Sequence, residues 1–227
     1  MEKFVPNFRG APWSPDRIPG AAGEGGGGAR ALHVYAVPDL TVDQDLAALV
    51  TQCRTAMKGH PVLPADDQYL HLTLEVVSAR YSDQIGDAER ADLVQALLTA
   101  MAKVDAFTLE LGSPLAGRAG ALLDVHPDGE VDSLHRAIRC AVQNALPTDV
   151  LYPVPPIHMS LGYSYAAGDS DRLQSALRRI RPGHATMTIA SVQLVDVLFR
   201  QVPVDGQLAW DLSWDHVATI PLKGKPC

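Results

Sequence analysis

Two short segments constrain this chain more than any others: His71-Leu72-Thr73-Leu74 and His158-Met159-Ser160-Leu161. Each sets a histidine two residues ahead of a hydroxyl side chain, inside an apolar run of strand length. Residues i and i+2 of a strand point to the same face. His71 and Thr73 should therefore project together, away from Leu70, Leu72 and Leu74. Likewise His158 and Ser160 should share a face, opposite Ile157, Met159 and Leu161. The apolar faces belong in a core, which leaves two imidazoles and two hydroxyls to meet in a polar cleft. An imidazole titrates near ~6.5, so a pair offers both a proton acceptor and a proton donor at neutral pH. Hydroxyls beside them can donate to anionic oxygens, a set of groups suited to acid–base chemistry on a phosphate.

The segments around them repeat an order of elements. A strand over 32–37 is followed by a helix from about Val42 to Lys58, with Leu46, Leu49, Val50, Cys53 and Met57 at helical spacing. After the first histidine strand, about 69–77, a helix from about Asp87 to Val104 presents Val94, Leu97, Leu98 and Met101. Phe107–Leu111 and Ala121–Val125 read as a hairpin, and His126-Pro127-Asp128-Gly129 as a turn. A helix from about Glu130 to Leu146 carries the stripe Val131, Leu134, Ile138, Ala141 and Val142. The second histidine strand follows, then a helix over 170–180 with Leu173, Ala176, Leu177 and Ile180 inward. Strands near 185–191, 193–199, 208–213 and 216–220 complete the chain. Helix, histidine strand, helix and hairpin thus occur twice.

Residues 1–30 end in Gly25-Gly26-Gly27-Gly28 and read as a flexible Gly/Pro-rich arm ahead of a folded unit over 31–227. No run approaches the ~20 apolar residues of a membrane span, and no leader is evident, so a cytoplasmic monomer without membrane attachment is expected. The net charge of −7 disfavours a grip on long nucleic-acid duplexes, which needs a basic surface. Arg178, Arg179 and Arg181 are read as helix-end charges. Cys53 and Cys140 are placed on helix core faces, Cys227 is read as a plain terminal thiol, and no metal or disulfide spacing is visible.

The paired tetrads and the duplicated order around them, over roughly residues 31–222, resemble the two-histidine phosphoesterase superfamily, which includes bacterial 2′-5′ RNA ligase-like proteins and RNA 2′,3′-cyclic phosphodiesterases. The resemblance implies an α+β fold: two pseudo-symmetric lobes, each an antiparallel sheet with outer helices, around a central cleft. It also implies that His71 and His158 face each other across that cleft. The implied activity is metal-independent and cofactor-free hydrolysis of a 2′,3′-cyclic or related phosphodiester of a nucleotide or RNA end, with 2′-5′ ligation as the reverse reaction. Which ring is acid and which is base stays open.

His71, Thr73, His158 and Ser160 are the expected catalytic residues. Tyr35, sharing a face with His33 on the first strand, is a candidate to stack on a base. Arg200 and Gln201, at a strand end before Pro203, are candidates for a substrate contact. Gly162 and Tyr163 stand where many relatives of that family carry a basic residue. Glu75 continues the first tetrad on the face of His71 and Thr73 and is read as a solvated strand-end carboxylate. His135 is placed on a polar helix face, and His60, His126, His184 and His216 at turns or strand ends. Two alternatives remain. One is a nucleotide-binding module that keeps the cleft without turnover. The other is a metallohydrolase, disfavoured by only two positioned histidines and no carboxylate at ligand spacing.

Overall fold

A single ladder pair, Leu72 opposite Met159, records the junction on which the architecture turns. In the computed structural model, which describes residues 29–117, 119–149 and 156–224, the strands are β1 (Ala29–Ala36), β2 (Val62–Pro64), β3 (Leu72–Val76), β4 (Phe107–Gly117), β5 (Gly120–His126), β6 (Met159–Ser164), β7 (Ala185–Ile189), β8 (Ser191–Val204) and β9 (Gln207–Pro221). They form one antiparallel sheet in the order β7-β4-β5-β6-β3-β1-β8-β9, with β2 alongside β6. The two histidine strands, β3 and β6, are the innermost members of its two halves. The N-terminal arm expected over 1–30 lies outside the described residues except for Ala29 and Arg30, which already belong to β1, and Cys227 lies outside them too.

Four helices cover one side: α1 (Gln44–Met57), α2 (Asp87–Met101), α3 (Asp128–Ala145) and α4 (Ser170–Leu177). They exchange halves. α1 leaves β1 but packs over β7 and beside α4, whereas α3 leaves β5 but packs over β3 and beside α2. The lobes are thus halves of one sheet tied by crossed helices, related by a pseudo-twofold between β3 and β6. Neither could be cut out of the chain without stranding a helix of the other.

Where an element has one buried face, its periodicity was legible. The α3 stripe is buried as the spacing requires: Val131, Leu134, Ile138, Ala141 and Val142. In α2 the buried line is Leu93, Leu97 and Met101, while Val94 and Leu98 flank it half-buried. Cys53 is buried, but Cys140 is exposed, one position off the α3 stripe. His126-Pro127-Asp128-Gly129 is not a free-standing turn. It starts α3, with Pro127 as the N-cap and Asp128 and Glu130 in the first turn, where acidic groups meet the positive end of the helix dipole. The segments 208–213 and 216–220 are one strand, β9, paired along its length with β8.

A second, smaller core fills the opposite, concave side of the β1-β3-β8-β9 half. Ala31, Tyr35, Val76, Tyr163, Val195, Val197, Phe199, Trp210 and Leu212 pack there, with Trp214 against them. β9 curls back to touch β2, β6 and the 3-10 turn Asp67–Tyr69. This curl decides which side chains of the concave face stay within reach of solvent.

Candidate active site

Both histidines sit one residue ahead of their ladders rather than within them. The chain there is held by the imidazoles themselves. His71 Nδ1 lies 2.9 Å from the Tyr69 carbonyl oxygen, and His158 Nδ1 lies 2.8 Å from the Pro156 carbonyl oxygen. A carbonyl can only accept, so each Nδ1 carries a hydrogen and donates it. In the neutral ring that leaves Nε2 with the lone pair. The two halves of the protein thus fix the same tautomer by the same i−2 contact. Leu72, Leu74, Met159 and Leu161 are buried on the helix side, while Thr73 and Ser160 remain half-buried.

The environments of the two rings differ. His71 is 6% exposed, stacked on Tyr35 (ring centroids 4.0 Å apart, planes 17° apart) and met edge-on by Trp214. Burial lowers its pKa, the Tyr69 carbonyl opposes the shift and the charge of His158 adds to it, leaving the ring at about 4. His71 is therefore neutral at pH 7. His158 is half-buried and is close enough to His71 for the two to interact electrostatically.

Each hydroxyl is attended by a buried tyrosine. Tyr35 stands opposite Thr73 across the β1–β3 ladder, where the Thr73 hydroxyl partly offsets the rise in the phenol's pKa, and Ser160 does the same for Tyr163. Burial raises the Tyr35 phenol well above its usual range and Tyr163 to about 12, so both remain protonated.

A duplicated β-bulge shapes the far end of each tetrad. β1 pairs Tyr35 with Thr73 but Val34 with Glu75, leaving Leu74 unmatched. β5 pairs Leu122 with Ser160 but Ala121 with Gly162, leaving Leu161 unmatched. The alternation slips by one at each bulge, so Glu75 faces the helices rather than the face of His71 and Thr73. It is fully buried, not solvated, and takes Arg139 Nε at 2.6 Å and Nη2 at 3.1 Å, with His135 Nε2 3.4 Å away. His135 is accordingly half-buried against a carboxylate rather than on a purely polar face. Gly162 occupies the equivalent place in β6. A Cβ there would stand 2.6 Å from the Leu63 carbonyl oxygen, so β2 can run alongside only because the side chain is absent.

The structure brings His71, Thr73, His158 and Ser160 together, and it places His33 and Tyr35 directly behind Thr73. Tyr35 offers no face to a base, being 1% exposed and covered by His71. Arg200 is held by Asp211, with Nε at 2.9 Å and Nη2 at 2.7 Å from one carboxylate oxygen. Val197 and Phe199 point into the concave core, so alternation turns Arg200 to the other side. Gln201 is exposed farther out along the β8–β9 hairpin. The side-chain hydrogen bonds of Arg200 go to Asp211 and to neither histidine. Sequence reasoning missed Trp214 as a neighbour of His71, because the two lie on opposite sides of the chain's length and no local pattern links them. Among the described residues no three His, Cys, Asp or Glu side chains gather as a metal site, and no helix is long and apolar enough to cross a membrane.

Comparison with known proteins agrees with this fold. A family model described as 2′-5′ RNA ligase superfamily matches residues 42–198. The crystal structure of TT0787 of Thermus thermophilus superposes with a TM-score of 0.56 at 14% identity, over 86% of this chain and 100% of that one. Escherichia coli LigT complexed with 3′-AMP gives 0.51 at 13% identity, over 86% and 98%. LigT in apo form gives the same score, identity and coverage. At these identities the structures testify to the fold. A search of curated proteins finds no match.

Proposed function

The chain belongs to the 2′-5′ RNA ligase superfamily, and on that premise we propose that it hydrolyses a cyclic phosphodiester, of the 2′,3′ kind found on nucleotides and RNA ends, by metal-independent two-histidine catalysis. The observation that carries this reading is the matched pair of tautomers: two Nδ1–H groups tied to i−2 carbonyls, two Nε2 atoms left for chemistry. His71, neutral at pH 7, takes a proton from the attacking water. The water oxygen bonds to phosphorus, and His158 gives a proton to the ribose oxygen that leaves. Thr73 and Ser160 donate to the non-bridging oxygens as charge builds on them; such donors count most where water is excluded.

The bound 3′-AMP of LigT supports a nucleotide as the substrate class. In this reading residues 31–227 act as the catalytic unit, as a monomer in the cytoplasm, on small phosphates or RNA ends rather than long duplexes. The reverse reaction would join a cyclic end to a 5′-hydroxyl. Turnover of 2′,3′-cyclic nucleotides by the purified protein tests the proposal. It should be lost in both His71→Ala and His158→Ala. Binding without turnover in the unaltered protein would instead make the chain a nucleotide-binding module, and activity that survives both substitutions would remove the rings from the reaction.

A further inference from the structure

A base that takes a proton becomes a cation, and His71 would have to do so in a place stripped of water. Its Nδ1 is tied to the carbonyl of Tyr69, not to a carboxylate. Among the described residues only His126 and His135 lie within ion-pair reach of an acidic side chain; His71 does not. The titratable neighbours that face it are His158 and His33, whose charges would oppose its own, and the phenol of Tyr35.

What His71 has in place of a carboxylate is the face of a ring. Tyr35 lies flush against it, with centroids 4.0 Å apart and planes 17° apart. Tyr35 is sealed in the concave core, and its hydroxyl is 2.8 Å from His33 Nδ1, which pins the far end of the ring. Trp214 stands at the side of the stack, its centroid 5.2 Å from each ring and its plane at 77° and 86° to them. The stack is thus held at one end and along one side.

We propose that Tyr35 is a positioning residue whose ring face stabilises the positive charge that His71 acquires as it takes the proton of the attacking water. The inference rests on the phosphodiester reading with His71 as the base.

The physical argument runs from the ring's charge distribution. The face of an aromatic ring carries negative potential, and a cation within about 6 Å of its centroid is attracted, most strongly where water is excluded. Both conditions hold here. The proton arrives at Nε2, but the charge of an imidazolium spreads over the whole ring, all of which lies over Tyr35. A neutral imidazole gains far less from that potential. The interaction therefore strengthens on the way to the transition state, the only kind of interaction that speeds the chemical step. In histidine catalysts that have one, a buried carboxylate behind Nδ1 does this work. An aliphatic side chain at position 35 would fill the same space without doing it.

The test changes the electrons of the ring and keeps its shape nearly constant. Tyr35 is replaced in the full chain by phenylalanine and by phenylalanines carrying one, two and three ring fluorines, which draw negative charge off the face. Tyr35→Phe is the reference, because loss of the bond to His33 is common to the whole series. With 2′,3′-cyclic AMP, kcat should fall stepwise with fluorine count, roughly tenfold from Tyr35→Phe to the trifluorinated ring, and KM should stay constant. A flat or rising series overturns the proposal, as does a fall that follows melting temperature instead of fluorine count. Independently of turnover, the 15N shifts of His71 at pH 5 report the fraction of rings protonated, which should decline along the series. A constant fraction refutes the role of the ring face. Absence of turnover in the unaltered protein refutes the phosphodiester reading instead, and the histidine spectrum still decides what Tyr35 does to His71.

Discussion

Leu72 on β3 stands directly opposite Met159 on β6, so the two halves of the sheet meet at the central residues of the two tetrads. Counting outward from that pair along antiparallel strands sets Thr73 beside His158 and His71 beside Ser160. The two rings are then diagonal neighbours, a relation that puts Cβ atoms roughly 7–8 Å apart on one face. In the proposed reaction one phosphate would lie between the two rings, with a hydroxyl at each side. The pseudo-twofold is therefore a property of the site as well as of the fold.

The pH dependence should betray the burial of His71. If it is the base, its ring must be neutral in the free protein, and its pKa is held down to about 4 mainly by loss of water around it. The acid limb of kcat/KM, which reports free-enzyme ionisations, should therefore lie near pH 4. An acid limb near the ordinary imidazole value of ~6.5 would show that His71 is not the group being titrated.

Ser160→Ala should slow chemistry without weakening binding. A donor to an anionic oxygen is worth about 1.5–3 kcal/mol, or roughly ten- to a hundredfold in kcat. Steady-state kinetics separate the cases: a raised KM at constant kcat would assign Ser160 to binding only.

Acid should destabilise the fold through His33 and His71. Both have folded-state pKa values below the ordinary imidazole value of 6.5, about 3 and about 4. Between those values and 6.5 the unfolded chain binds protons that the folded chain refuses, so stability falls as pH drops through this window. At pH 5 each ring should cost about 2 kcal/mol relative to pH 8. Urea unfolding at the two pH values measures the loss, and His33→Gln should show a smaller one. An unchanged pH dependence in that variant would mean that His33 does not contribute.

Glu75 should matter to stability through its partners in α3. Burial alone would raise its carboxyl, but bonds and charges from His135 and Arg139 outweigh that and hold it below the ordinary carboxylate range. Glu75→Gln leaves Arg139 facing a neutral group in a buried site and should cost roughly 3 kcal/mol. Glu75→Leu combined with Arg139→Met should recover much of it. Thermal melts compare the three proteins; equal loss in the single and double variants would show that volume, not charge pairing, sets the cost.

The legible parts of this chain were those with one face in a core. The α3 stripe and the alternation through Leu72, Leu74, Met159 and Leu161 survived because burial imposes a period on sequence. The side reached by Glu75 was not legible, since a bulge shifts the count by one residue and leaves no local mark at Leu74. β9 read as two strands broken at Trp214 and Asp215, yet the β8 ladder pairs both of these residues. Tyr35 looked available to a substrate because its cover, His71 and Trp214, comes from two other segments of the chain. His71, Thr73, His158 and Ser160, the proposed catalytic residues, were visible through duplication. The burial of His71 under Tyr35 and Trp214 depends on packing between distant segments.

The most direct test of the account is whether both rings report one bound phosphate. Titrating 15N-labelled protein with 3′-AMP should shift the Nε2 resonances of His71 and His158 together, along one saturation curve, while both Nδ1–H signals persist. A shift at one ring alone, at neither, or along two different curves would contradict a shared phosphorus between them.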